Sequence, residues 1–125
     1  MNAQTVLVMA AANGFAAVGL GAFGAHGLKN KISENLLSAY QTGVQYHFYH
    51  TLALLGVAVL MFHFGQKGIL RISASLFLLG MLMFSGSLYG LALSGPSWLG
   101  PITPLGGVVL LAGWASLLLA ALKLK

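Results

Sequence analysis

Permanent charge is almost absent from this chain, and that scarcity limits what it can fold into. Seven of 125 residues are Lys, Arg or Glu, or 6%, where water-soluble domains carry about 25%. They form three islands: Lys29, Lys31 and Glu34; Lys67 and Arg71; Lys123 and Lys125. The stretches between them hold no Asp, Glu, Lys or Arg, hydrophobic residues make up 58%, and mean hydropathy is +0.91. The solvent for such a surface is lipid, and the length suits a single domain over residues 1–125.

The net charge of +5 does not make a nucleic-acid binder, because six basic residues scattered over three islands build no basic face. They read as topology determinants and as contacts for membrane lipids. With no cysteine, disulfides, thiolate metal sites and cysteine catalysis are excluded. A single acid rules out paired-carboxylate catalysis within one chain. Glu34 reads as a helix-start residue, not as a proton carrier inside a span.

A membrane span needs about 20 mostly apolar residues. Four segments qualify, approximately 5–25, 46–64, 70–93 and 103–122. The first lacks the basic n-region of a signal peptide, which favours an uncleaved span. Between the first two spans, Ser33 is placed to cap a helix. Leu36, Leu37, Tyr40 and Val44 then share one face, which predicts an amphipathic interfacial helix bending near Gly43 into span two. An unbroken helix over 33–64 would be about 48 Å long, more than the roughly 30 Å hydrocarbon core. The predicted fold class is therefore all-α: an integral membrane four-helix bundle with an amphipathic helix between spans one and two. Four spans put Lys67, Arg71, Lys123 and Lys125 on one side against Lys29 and Lys31 on the other, which predicts both termini in the cytoplasm.

Gly19-Leu20-Gly21-Ala22-Phe23-Gly24 matches the dinucleotide-binding glycine pattern in letters only. It lies inside a span, without the strand and the later acid that the chemistry requires. The spacing of Ala10, Gly14, Ala17, Gly21 and Ala25 instead predicts a smooth helix-packing face, repeated by Gly86 and Gly90. Such a face serves packing within the chain, a homo-oligomer or a membrane-protein partner.

His47, His50 and Thr51 share a helical face by the i, i+3, i+4 rule, and His26 closes span one on the same side. Histidines from neighbouring helices suit a metal or b-type haem. However, no carboxylate or thiolate joins them, so interhelical hydrogen bonding is the favoured reading and no cofactor is implied. Ser85, Ser87 and Tyr89 approach the same surface from span three, Gln41 and Gln45 precede span two, and Thr103 opens span four. Uncharged donors and acceptors in lipid need partners, so these residues are expected to form a network or line a pocket in the non-cytoplasmic half.

Several segments together carry a family resemblance. They are Gly21-Ala22-Phe23-Gly24-Ala25-His26-Gly27-Leu28, Tyr40-Gln41-Thr42-Gly43-Val44-Gln45-Tyr46-His47, His50-Thr51-Leu52-Ala53, Phe84-Ser85-Gly86-Ser87-Leu88-Tyr89 and Gly100-Pro101-Ile102-Thr103-Pro104-Leu105-Gly106-Gly107. Over essentially its whole length the chain resembles the uncharacterised YgdD-like proteins of the bacterial inner membrane, which are related to a small eukaryotic transmembrane protein. The resemblance implies four spans and supplies no catalytic residue. It marks His26, Gln41, Gln45, His47, His50, Ser85, Ser87 and Tyr89 as the site candidates. The expected function is non-enzymatic binding of a lipid, a small apolar ligand or a partner helix. The alternatives are a metal or haem redox protein using His26, His47 and His50, and an oligomeric small-solute transporter or channel.

Overall fold

The structure, a computed structural model, describes residues 1–124; Lys125, used above for orientation, lies outside the described residues. The described residues form four long helices and no strand: α1 (Ala3–Phe23), α2 (Glu34–Phe64), α3 (Gly68–Ala92) and α4 (Ile102–Lys123). All four are long and apolar enough to cross a membrane. A π turn, Gly24–Leu28, prolongs α1, and a 3-10 turn, Ser97–Leu99, precedes α4.

The ends of the helices follow from local chemistry. The Asn2 side chain accepts from the Thr5 N–H at 2.8 Å, and Gln66 reaches back to accept from the Ala3 N–H at 3.0 Å. Two orphan donors of α1 are satisfied in this way. The second contact also ties the start of the chain to the α2–α3 turn, so both lie at one end of the bundle. At the other end Ser33 caps α2 through the Leu36 N–H at 3.2 Å. Gly65 closes α2 at φ +90°, a backbone setting that favours glycine.

One expectation is corrected here. The amphipathic segment is not a separate interfacial helix, because α2 runs unbroken through Gly43 for 31 residues, about 46 Å. Its first turns pack into the bundle: Tyr40 is fully buried and forms a second apolar cluster with Leu28 and Ala92. Gly43 allows close approach where the sequence suggested a bend. A Cβ added there would lie 3.1 Å from the Tyr89 ring and 3.2 Å from Leu88 Cβ. The Ser85 hydroxyl donates to the Gly43 carbonyl at 2.7 Å, so α3 is bonded to the backbone of α2 at this point.

Each helix packs on its neighbour in sequence, α1 on α2, α2 on α3 and α3 on α4. The main core lies towards the end that holds the N-terminus, with Val6, Leu54, Val57, Met61, Leu70 and Phe77 all buried. Phe15 (86% exposed) and Leu122 (76%) point outward, as expected of side chains solvated by acyl chains.

Because lipid tails are as apolar as leucine, close packing rather than hydrophobic burial holds such helices together. The tightest approach to the backbone of a neighbouring helix is at Gly106, where an added Cβ would lie 2.5 Å from the Phe84 backbone nitrogen. Gly113 fits against the Phe77 ring and Gly80 against Leu110 in the same interface. Gly56, by contrast, faces open space. Gly106→Ala is therefore expected to lower the thermal unfolding midpoint in detergent, with an overpacking cost of about 1–3 kcal/mol. Gly56→Ala should leave the midpoint unchanged or raise it slightly.

Candidate functional site

Asn13 is the one strongly polar side chain midway along α1, and its surroundings assign every proton around it. Its Nδ2 donates to the Met9 carbonyl at 2.8 Å, which fixes the amide orientation. Its Oδ1 then faces His47 Nε2 at 2.9 Å. An amide oxygen only accepts, so Nε2 carries the imidazole proton. The other ring nitrogen, Nδ1, must then accept, and it does so from the Tyr89 hydroxyl at 2.9 Å. Three helices are joined by one chain of hydrogen bonds: α1 through Asn13, α2 through His47 and α3 through Tyr89.

His50 sits one turn further along α2 and has the opposite tautomer. Its Nδ1 donates to the Tyr46 carbonyl at 2.7 Å, and its Nε2 accepts from the Trp114 indole N–H at 3.0 Å. Phe77 packs edge-on against Trp114, with ring centroids 5.1 Å apart, and holds the indole in place. The two histidines therefore do not act as a pair, although they share a helical face. His47 binds α1 and α3, whereas His50 binds α4. A metal would have to displace Tyr89 from one ring or Trp114 from the other. Among the described residues no three His, Asp or Glu side chains lie close enough to hold an ion.

The remaining expected site residues divide into separate places. Ser85 is buried and bonded to Gly43, while Ser87 is buried and bonded to Thr103, which joins α3 to the start of α4. Gln41 and Gln45 are exposed and line a hollow of about 240 Å³ beside Gly21, Gly24 and Ala25. His26 is exposed on the π turn. Of the small-residue face on α1, Ala10 and Ala17 are buried, Gly14 faces Thr51 and Gly21 faces Val44, while Ala25 is exposed. On α3, Gly90 meets Leu99, whereas Gly86 is open apart from Leu82 at 3.9 Å.

Sequence reasoning missed Asn13, Trp114 and the hydroxyl of Tyr40, which donates to the Leu20 carbonyl at 2.6 Å beside the π turn. Asn13 carried a usable signal, since an amide in mid-span needs a partner. Trp114 had none to show, because an indole in a span suits lipid as well as a histidine. Among the described residues, no buried side-chain nitrogen or oxygen lacks a hydrogen-bond partner.

Open space adjoins this network on two sides. A groove of about 420 Å³ lies between α1 and α3, bordered by Met9, Asn13, His47, Leu78, Leu82, Ser85, Gly86 and Tyr89. Another, of about 470 Å³, lies between α2 and α4 beside Tyr46, His50, Phe84 and Trp114. Both are predominantly apolar and open laterally. The first brings together one amide, one imidazole and two hydroxyls in a wall without charge.

Comparison with known proteins places this arrangement in a family. The model of a protein of unknown function (DUF423) matches residues 20–107. The UPF0382 membrane protein YwdK of Bacillus subtilis is 46% identical over 96% of this chain and 98% of its own length. The UPF0382 inner membrane protein YgdD of Escherichia coli is 47% identical over 100% of this chain and 95% of its own. A UPF0382 membrane protein of Haemophilus influenzae is 42% identical, covering 95% and 94% respectively. No solved structure matches the chain.

The hydrogen-bond assignment is directly measurable. Nitrogen-15 NMR of the protein in lipid is expected to show His47 protonated on Nε2 and His50 on Nδ1, two different tautomers in one sample. Asn13→Ala should remove the partner of His47 Nε2 and destabilise the bundle by about 0.6 kcal/mol, the average for such bonds in membranes, with about 1.7 as an upper value.

Proposed function

The chain belongs to the DUF423 family, and from that premise we propose that it is a non-enzymatic binding protein of the bacterial cytoplasmic membrane. Its occupant is a lipid or small apolar molecule held in the groove between α1 and α3. The observation that carries this reading is the position of the Asn13–His47–Tyr89 chain. Hydrogen bonds that only fasten helices need no access from outside. Here they border an apolar groove that opens towards the lipid.

The size of the groove supports the same reading. Small-molecule sites are clefts of about 300–1,000 Å³ that are mostly apolar with a few placed polar groups. The flexible thioethers of Met9 and Met81 border it, and such side chains adapt to irregular ligands. At Gly86 an added side chain would extend into the opening without meeting backbone, since among the described residues only Leu82 Cδ1 lies within 4 Å of its Cβ position. Gly86→Leu is expected to leave folding intact and fill the groove. Photocrosslinking of the protein in vesicles with a diazirine-bearing alkyl lipid should label Met9 and Leu82 in the parent protein. Labelling at both positions should fall severalfold in the variant; equal labelling would remove the groove as the site.

The threading belongs to the same proposal, with both termini on the cytoplasmic side. Ala3 and Gln66 meet at one end of the bundle, the end that bears Lys67 and Arg71, while Lys29 and Lys31 follow the π turn at the other. The excess of basic residues favours the cytoplasm for the first end. The chain has no cysteine, so single introduced cysteines report sidedness without background. A membrane-impermeant thiol reagent added to spheroplasts should label Lys29→Cys and spare Gln66→Cys. The reverse pattern would invert the threading.

A further inference from the structure

We propose that the α1–α3 groove selects a neutral lipid with a hydroxyl head, such as a long-chain alcohol or a diacylglycerol, whose O–H donates to Tyr89 Oη. This inference rests on the groove being the binding site and adds the chemistry of the head that fits it.

The hydrogen bonds bordering the groove account for nearly every polar proton there. Asn13 gives one amide hydrogen to Met9, and its oxygen receives the proton of His47 Nε2. His47 Nδ1 therefore has no hydrogen to give, and it takes that of the Tyr89 hydroxyl. The Ser85 hydroxyl hydrogen goes to the Gly43 carbonyl. The protons of the imidazole and of both hydroxyls are thus engaged inside the protein. What Tyr89 and Ser85 still offer the groove is oxygen lone pairs.

Lone pairs call for a donor. A carboxylate or phosphate brings only more lone pairs, and among the described residues no Lys or Arg borders the groove to neutralise it. Placing an unpaired anion there would incur a large desolvation cost. A quinone carbonyl or an ether oxygen can accept the second hydrogen of Asn13 Nδ2, but it brings no hydrogen for Tyr89 and leaves those lone pairs without a donor. A plain hydrocarbon leaves the lone pairs unused. An alcohol supplies the missing hydrogen without charge, and its own oxygen is available to the second hydrogen of Asn13 Nδ2. The apolar borders from Leu78 and Leu82 suit the chain that follows the head.

The test is competition by unlabelled probes of equal chain length against the diazirine alkyl lipid, using the full chain in phosphatidylcholine nanodiscs. The probes are 1-hexadecanol, its methyl ether, hexadecanoate and hexadecane. The ether keeps the oxygen and loses only the donor. Hexadecanol is expected to displace the label from Met9 and Leu82 at about fivefold lower concentration than the ether, the ratio one net hydrogen bond yields. Hexadecanoate and hexadecane should be weaker than the alcohol. Tyr89→Phe also frees the His47 Nδ1 lone pair to accept. The variant that removes both acceptors is therefore Tyr89→Phe combined with His47→Leu, in which the advantage of the alcohol over the ether should vanish. Equal potency of alcohol and ether on the parent protein, or a preference for the carboxylate, overturns the head-group inference and leaves the groove standing. Absence of label from the groove in the parent protein overturns both.

Discussion

Inside a bilayer no water competes for a polar side chain, so a hydrogen bond between helices fixes their relative height and rotation. In this protein that role falls to the chain running from Asn13 through His47 to Tyr89. It locks three of the four helices together, and the fourth is joined through Trp114 to His50 and through Thr103 to Ser87. Each bond is modest, about 0.6 kcal/mol on average in comparable proteins. Their combined effect is specific, because a one-residue slip of α1 or α3 would leave His47 without a partner on that side. An unpaired polar group in hydrocarbon is costly.

Close packing provides the rest. The approach of α3 to both of its neighbours depends on positions without a Cβ: Gly43 beneath Tyr89 and Leu88, and Gly106 against the Phe84 backbone. Gly43 shows how the two devices cooperate. Its missing side chain brings α2 near enough for Ser85 to reach the Gly43 carbonyl, and the same approach sets Tyr89 within reach of His47. The polar network and the glycine contacts are thus one construction.

The fold was largely legible, because scarce charge and apolar segments of about 20 residues leave few alternatives to a helical membrane bundle. The exceptions are instructive. A glycine in a helix invites a bend, yet at Gly43 only the neighbouring helix decides between bending and close approach. The spacing of His47 and His50 groups them on one helical face. Their separation depends on Asn13 and Trp114, residues that contact them across about 34 and 64 positions of sequence, beyond any local pattern. The small-residue face on α1 does pack on α2 through Ala10, Gly14, Ala17 and Gly21, but the tightest glycines on α4 were not singled out, because helical spacing alone does not show which face a neighbour occupies.

The proposed binding of a molecule from the lipid phase places it in the groove between α1 and α3, with the His47 chain as its polar wall. The most direct measurement is a crystal structure of the protein purified with its native lipid. Elongated density is expected in that groove, bordered by Leu78 and Leu82 and ending within hydrogen-bond distance of Tyr89 Oη. A groove closed by inward rotation of its side chains, with ordered lipid only elsewhere on the bundle, would contradict it.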